Sequence, residues 1–154
     1  MSALNFIFAA HGLIQAALAI QLIFLPYLTN TIFPGQTFDS THIFLLRLYG
    51  AGLASIASIS LLCREMPNML PCKRGAAAGF LTFHMIMTLI IFQSRNDGPL
   101  SVKASWALSV FHGLQAFVLY SWYTATGSQV KAFLKQGQRQ QSQGHTLNNN
   151  RKRN

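Results

Sequence analysis

Four apolar runs, Leu4 to Leu25, Ile43 to Cys63, Ala76 to Gln93 and Ala104 to Tyr123, fill most of this 154-residue chain, and Arg47 is the one Lys, Arg, Asp or Glu inside them. A helix needs about 20 residues, at about 1.5 Å each, to cross roughly 30 Å of hydrocarbon. Each run is of that order. Between them lie "LPYLTNTIFPGQTFD", "REMPNMLPCKRG" and "SRNDGPLSVK", where proline and glycine cluster as helix ends require. Only 10% of residues are charged and 51% are hydrophobic, whereas about a quarter are charged in a soluble domain. The expected fold is an all-α integral membrane four-helix bundle over residues 1–125, followed by a tail over 126–154.

The first run has one alternative, a cleaved signal peptide. No Lys or Arg precedes it, it is long, and His11, Gln15 and Gln21 interrupt it, which favours a retained span. Basic residues beside the spans set the orientation, because Lys and Arg stay preferentially on the cytoplasmic side. The second loop and the tail carry Arg64, Lys73, Arg74, Lys131, Lys135, Arg139, Arg151, Lys152 and Arg153, against Arg95 and Lys103 on the other side. Both termini are therefore expected in the cytosol. The net charge of +9 is explained by anionic lipid headgroups at these flanks and calls for no nucleic acid.

Cys63 and Cys72 fall on the same reducing side, and their spacing lacks the Cys-x-x-Cys pattern of a zinc site. The tail, rich in Gln, Asn and Ser, is expected to be disordered. An exception is "SQVKAFLKQ", where Val130, Phe133 and Leu134 share a helical face suited to the headgroup layer. The terminal Arg151-Lys152-Arg153 has an Arg-x-Arg form that fits retention in the endoplasmic reticulum.

In lipid, helices associate through small residues and hydrogen bonds rather than through apolar faces. On the second span Ala51, Ala54 and Ser58 form such a stripe, with Arg47 on it, and the third span opens with Gly75 and Gly79 four apart. Both motifs predict close packing. The first span aligns His11 and Gln15 with Leu4, Leu18 and Leu22; the third aligns Ala77, His84 and Thr88; the fourth aligns Ser105, Ser109, His112, Ala116 and Tyr123.

Counted from the cytosolic ends, His11, His84 and His112 lie roughly 10, 12 and 16 Å deep. Three imidazoles in one layer are expected to meet at a cavity opening toward the cytosol. Each has a polar neighbour about a turn away: Gln15, Thr88, and Ser109 or Gln115. The alternative for each ring is a structural hydrogen bond to the next helix. Arg47 either snorkels to the nearer surface or points inward as a fixed cation above the histidines.

Histidine titrates near neutrality and supplies acid–base chemistry without a carboxylate. No Asp or Glu lies in a span; Asp39, Glu65 and Asp97 are in loops. That weakens ion-coupled transport and takes away the carboxylate that often completes a His-based metal site, although three histidines alone can hold zinc. There is no phosphate-binding glycine loop, nucleotide fingerprint, Gly-x-Ser-x-Gly elbow or His-Glu-x-x-His, so no cofactor is expected.

The leading expectation is a membrane-embedded isomerase, cyclase or cofactor-free oxygenase acting on a lipophilic molecule. His11, His84 and His112 would move protons, Arg47 would stabilise negative charge, and Gln15, Gln115, Thr88 and Ser109 would orient the substrate. The alternatives are a non-catalytic scaffold for a membrane protein partner and, less supported, a small channel. In size and in its four spans from Leu4 to Tyr123 the chain resembles the small integral membrane proteins of fungal natural-product pathways, a set that includes the anthrone oxygenases. The resemblance is one of topology. It implies secondary-metabolite biosynthesis and carries over no residue.

Overall fold

The structure, a computed structural model, describes residues 3–33, 38–96, 98–133, 135, 136 and 138. Asp97, Leu134, Arg139 and Arg151–Arg153 lie outside the described residues, and with them the expected retention signal; the Leu4 side chain does too. The described residues form four long helices and no strand: α1 (Ala3–Phe24), α2 (Ser40–Cys63), α3 (Pro71–Gln93) and α4 (Val102–Ala125), with a 3-10 turn, Pro26–Thr31, after α1. Helix starts follow ordinary capping chemistry. Asp39 accepts from the His42 N–H at α2, Pro71 opens α3, and the Ser101 hydroxyl accepts from the Ala104 N–H at α4.

Three described helices, α1, α2 and α3, are long and apolar enough to cross a membrane. Helix α4 is as long, 24 residues, but Lys103, Ser105, Ser109, His112 and Gln115 dilute its apolar character. Most large apolar side chains point out of the bundle, among them Leu13, Phe44, Leu62, Leu89, Leu114 and Phe117. In water such a surface is unfavourable; against hydrocarbon it is neutral.

The helices pair as two antiparallel hairpins, α1 with α2 and α3 with α4, which meet along looser seams. In the first hairpin the backbones nearly touch at two glycines. A Cβ on Gly12 would stand 2.8 Å from Leu61 Cγ, and one on Gly50 would stand 2.9 Å from Ile23 Cγ1 and 3.2 Å from the Ala19 carbonyl oxygen.

The expected small-residue motifs do not make these contacts. Ala51 and Ser58 are exposed, Ser58 returning its hydroxyl to the Ala54 carbonyl. The buried face of α2 is instead Gly50, Leu53, Ala57, Ser60 and Cys63. Gly75 and Gly79 also face outward, with nothing within 4 Å of a Cβ built on either. Small residues occupy both faces of these helices, so their spacing alone did not reveal which face turns inward.

At the end where the chain begins, the bundle is closed by Phe8, Phe80, Leu119 and Trp122. Phe8 meets Trp122 edge-on at 4.9 Å. Lys73 is fully buried in this plug. Its three ammonium hydrogens are all engaged, donating to Asn5 Oδ1 (3.1 Å) and to the Arg64 (3.2 Å) and Met66 (2.8 Å) carbonyls. It also stands over the Phe8 ring at 4.9 Å. Lys73 is thus a satisfied internal cation and not a free headgroup ligand. Arg74 caps the end of α4, donating to Thr126 Oγ1 (2.7 Å) and the Tyr123 carbonyl (3.2 Å). Its guanidinium stacks on Tyr123, which turns outward rather than onto the inner face of α4. Residues 127–133 continue helically past Thr126.

Candidate functional site

His11, His84 and His112 arrive from three helices and are joined ring to ring in the middle of the bundle. His11 Nε2 and His84 Nε2 are 3.0 Å apart, and His84 Nδ1 and His112 Nδ1 are 2.9 Å apart. All three rings are buried. Helix periodicity explains the meeting, because His84 continues the inner face of Lys73, Ala77 and Phe80, and His112 that of Ser105 and Ser109. Phe80 stacks on His11 at 4.7 Å, and Phe83 and Phe111 pack edge-on against His84 and His112. This collar leaves the ring nitrogens little but one another to bond.

The far side of His11 meets a residue that sequence reasoning missed. Its Nδ1 lies 3.1 Å from Ser60 Oγ, and Ser60 donates its own hydrogen to the Phe8 carbonyl at 2.9 Å. A carbonyl only accepts, so for neutral rings this end sets the polarity of the whole chain. Ser60 accepts from His11 Nδ1–H; neutral His11 then accepts at Nε2 from His84 Nε2–H; neutral His84 accepts at Nδ1 from His112 Nδ1–H. With all three rings neutral, every link has one donor and one acceptor. The remaining lone pair is on His112 Nε2, which no described protein group bonds. Nothing in the spacing marked Ser60, because it lies on the stripe of α2 one position away from the one that the sequence suggested.

Gln15 and Gln115 form a second link between the hairpins, Gln15 Nε2 donating to Gln115 Oε1 at 3.0 Å and standing 3.5 Å from His84 Nε2. Gln15 Oε1 and Gln115 Nε2 are buried with no hydrogen-bond partner, as are the Ser105 and Ser109 hydroxyls. Thr88 does not turn to a ring; its hydroxyl donates to the His84 carbonyl at 2.8 Å. Arg47 is remote from the histidines. It is exposed, and its Nε donates to the Ile23 carbonyl at 3.2 Å. The cation thereby caps the last turn of α1, where carbonyls lack helical partners, and does not overlie the imidazole layer.

A groove of ≈ 300 Å³ runs along the seam between α1 and α4, lined by Phe6, Ala10, His11, Phe111, Leu114 and Gln115 among others. It opens sideways. The expected opening toward the end of the bundle is absent there, because Phe8, Phe80, Trp122 and Lys73 fill that end. A second groove, ≈ 360 Å³ between α2 and α3, is lined by apolar side chains and Tyr49 and includes no histidine.

Among the described residues no group of three or more His, Cys, Asp and Glu is arranged to hold a metal ion. Both nitrogens of His11 and of His84 are turned to other protein groups. Cys63 is buried and Cys72 exposed, and neither is in a disulfide. No protein-family model, curated protein or solved structure matches this chain.

Proposed function

We propose that this chain is a membrane-embedded acid–base enzyme acting on a lipophilic molecule, an isomerase, cyclase or cofactor-free oxygenase, with the three imidazoles as its proton relay. The observation that carries this reading is the polarised chain His112–His84–His11, which reaches a laterally open apolar groove through His11. A proton taken up at His112 Nε2 sends its Nδ1–H to His84 Nδ1, the Nε2–H of His84 to His11 Nε2, and releases the Nδ1–H of His11. One proton enters, one leaves, and each ring exchanges tautomer, the last step requiring the His11 ring to turn from Ser60 toward the groove.

His11 delivers that proton to a molecule in the groove by giving up its bond to Ser60. The reverse sequence abstracts one. His11 is then the acid in one direction of the relay and the base in the other, which suits moving a proton between two positions of a substrate. Gln115 lines the same groove, and a turn of its side chain would bring the buried, unpartnered Nε2 to a carbonyl or hydroxyl oxygen there. A sideways opening suits a molecule that dissolves in hydrocarbon and approaches through the bilayer.

The reading includes four spans, α4 among them, with both termini in the cytosol and residence in the endoplasmic reticulum. An inward-facing polar stripe explains why α4 is less apolar than its neighbours while its outer face remains lipid-like. Tagging each terminus and testing protection from protease in sealed membranes checks the topology; opposite sides for the two termini would rule out an even number of spans.

The test of function compares lipophilic metabolites in cells with the gene, without it, and with His11, His84 and His112 all replaced by Leu. A product lost in the second and third supports catalysis. Unchanged metabolites with mislocalised partner proteins overturn it in favour of a scaffold.

A further inference from the structure

Ser105 and Ser109 are 0% and 6% exposed, yet neither hydroxyl has a hydrogen-bond partner. Other hydroxyls on these helices avoid that cost by returning to their own backbone. Ser55, Ser58, Thr82, Thr88 and Ser121 each donate to the carbonyl four residues back. Ser105 and Ser109 do not, so their hydroxyls are turned toward the bundle interior. A buried hydroxyl with no partner is costly, roughly 1–3 kcal/mol, and such groups are normally met by ordered water.

The two serines share the buried face of α4 with His112, whose Nε2 has no described protein partner. Residues four and three apart on a helix are separated by about 6 and 4.5 Å along its axis. One water with two hydrogen bonds of about 2.8 Å spans such a gap. Counted along the helix axis, the three groups without described protein partners thus follow one another at the spacing of a single file of water. It leads from the Ser101 end of α4, where the chain meets the loop bearing Ile32 through the Ser101 N–H to Ile32 carbonyl bond, down to the ring at which the relay begins.

We infer that α4 carries a buried water site, Ser105–water–Ser109–water–His112 Nε2, which supplies and removes protons at the end of the histidine relay remote from the groove. The inference rests on the relay reading for its purpose, and its ligand is water. It separates the path of protons from the path of the lipophilic molecule. Protons travel along the interior face of α4, and the molecule enters between α1 and α4. A turnover that leaves His112 protonated or deprotonated is reset along this file without the groove having to empty. Ser105 and Ser109 are positioning residues here, since they hold water against His112 and touch no substrate.

The experiment is solid-state NMR on the full chain in lipid bilayers with ¹⁵N-labelled histidine, measuring magnetisation transfer from water to each ring. The expected result is strong transfer to His112 Nε2. Ser109→Val abolishes it, while Ser109→Thr, which has the shape of Val and keeps the hydroxyl, retains it. The His11–His84 and His84–His112 ring couplings persist in both variants and report that the bundle is intact. Absence of water transfer to His112 in the unaltered chain overturns the inference, as does wild-type transfer in Ser109→Val or equal loss in Ser109→Thr. Because the readout needs no turnover, a negative result leaves the catalytic reading standing. A chain without measurable product could still show the water.

Discussion

Cutting the relay at each of its three rings separates a catalytic chain from a structural one. His11 makes two ring bonds, to Ser60 and His84; His84 makes two, to His11 and His112; His112 makes one. Replacement by Leu keeps an apolar side chain of similar bulk and removes those bonds. Interhelical hydrogen bonds within membranes average about 0.6 kcal/mol and reach about 1.7. His112→Leu should therefore lower stability by about 1 kcal/mol, and His11→Leu and His84→Leu by roughly 1–3 kcal/mol. The larger losses follow from two bonds cut and a buried group orphaned on each side. Product formation should not follow that order. A proton relay fails wherever it is cut, so all three variants should lose a similar factor, about 10²–10⁴, typical of general acid–base catalysis. Unfolding in detergent or bicelles measures the first series, and product per folded molecule in membranes the second. If residual activity tracks stability, or if His112→Leu turns over normally, the relay is not the catalytic element.

Filling the α1/α4 groove with Ala10→Phe, which touches no histidine nitrogen, should abolish product while leaving the imidazole couplings seen by NMR unchanged; undiminished product would place the substrate elsewhere. Gly50→Ala should destabilise by about 1–3 kcal/mol, because the added methyl meets the fixed Ala19 carbonyl at 3.2 Å and α1 must move away. Gly75→Ala and Gly79→Ala should be neutral or gain up to about 1 kcal/mol each, since nothing stands within 4 Å of the new Cβ and Ala is the better helix former; equal effects at all three glycines would refute the assigned faces. The Asp39 carboxyl is held below its usual range, first by the His42 backbone N–H and then by the His42 side chain. A lowered folded pKa means that this cap is present above the ordinary carboxylate range and is lost as pH falls through the folded value. Protection of the His42 amide, measured against its intrinsic exchange rate at each pH, should fall on acidification below the ordinary carboxylate range and should be low in Asp39→Ala at every pH; pH-independent protection would disprove the cap.

Sequence alone determined the helices and their approximate ends, because length, apolarity and clusters of proline and glycine are local properties. It also placed His11, His84 and His112 in one broad layer of the bundle, since rise per residue is constant within a helix. The tertiary structure decided which way each helix faces. In water the apolar stripe would have declared that face, but against hydrocarbon both sides of a helix are greasy and the phase is lost. Hence Ala51 and Ser58 looked inward and are exposed, while Gly50, Ala57 and Ser60 carry the contact.

The same ambiguity hid Ser60 as the group that ends the chain of ring contacts. It made Lys73 look like a surface charge, although three acceptors brought from α1 and the second loop satisfy it in the interior. It also left open whether Arg47 pointed at the histidines or snorkelled to the nearer surface, and the Ile23 carbonyl in the hairpin holds it at the exposed end of α1. Hydrogen bonds between helices depend on where two chains of side chains cross, and that crossing belongs to no single segment of sequence.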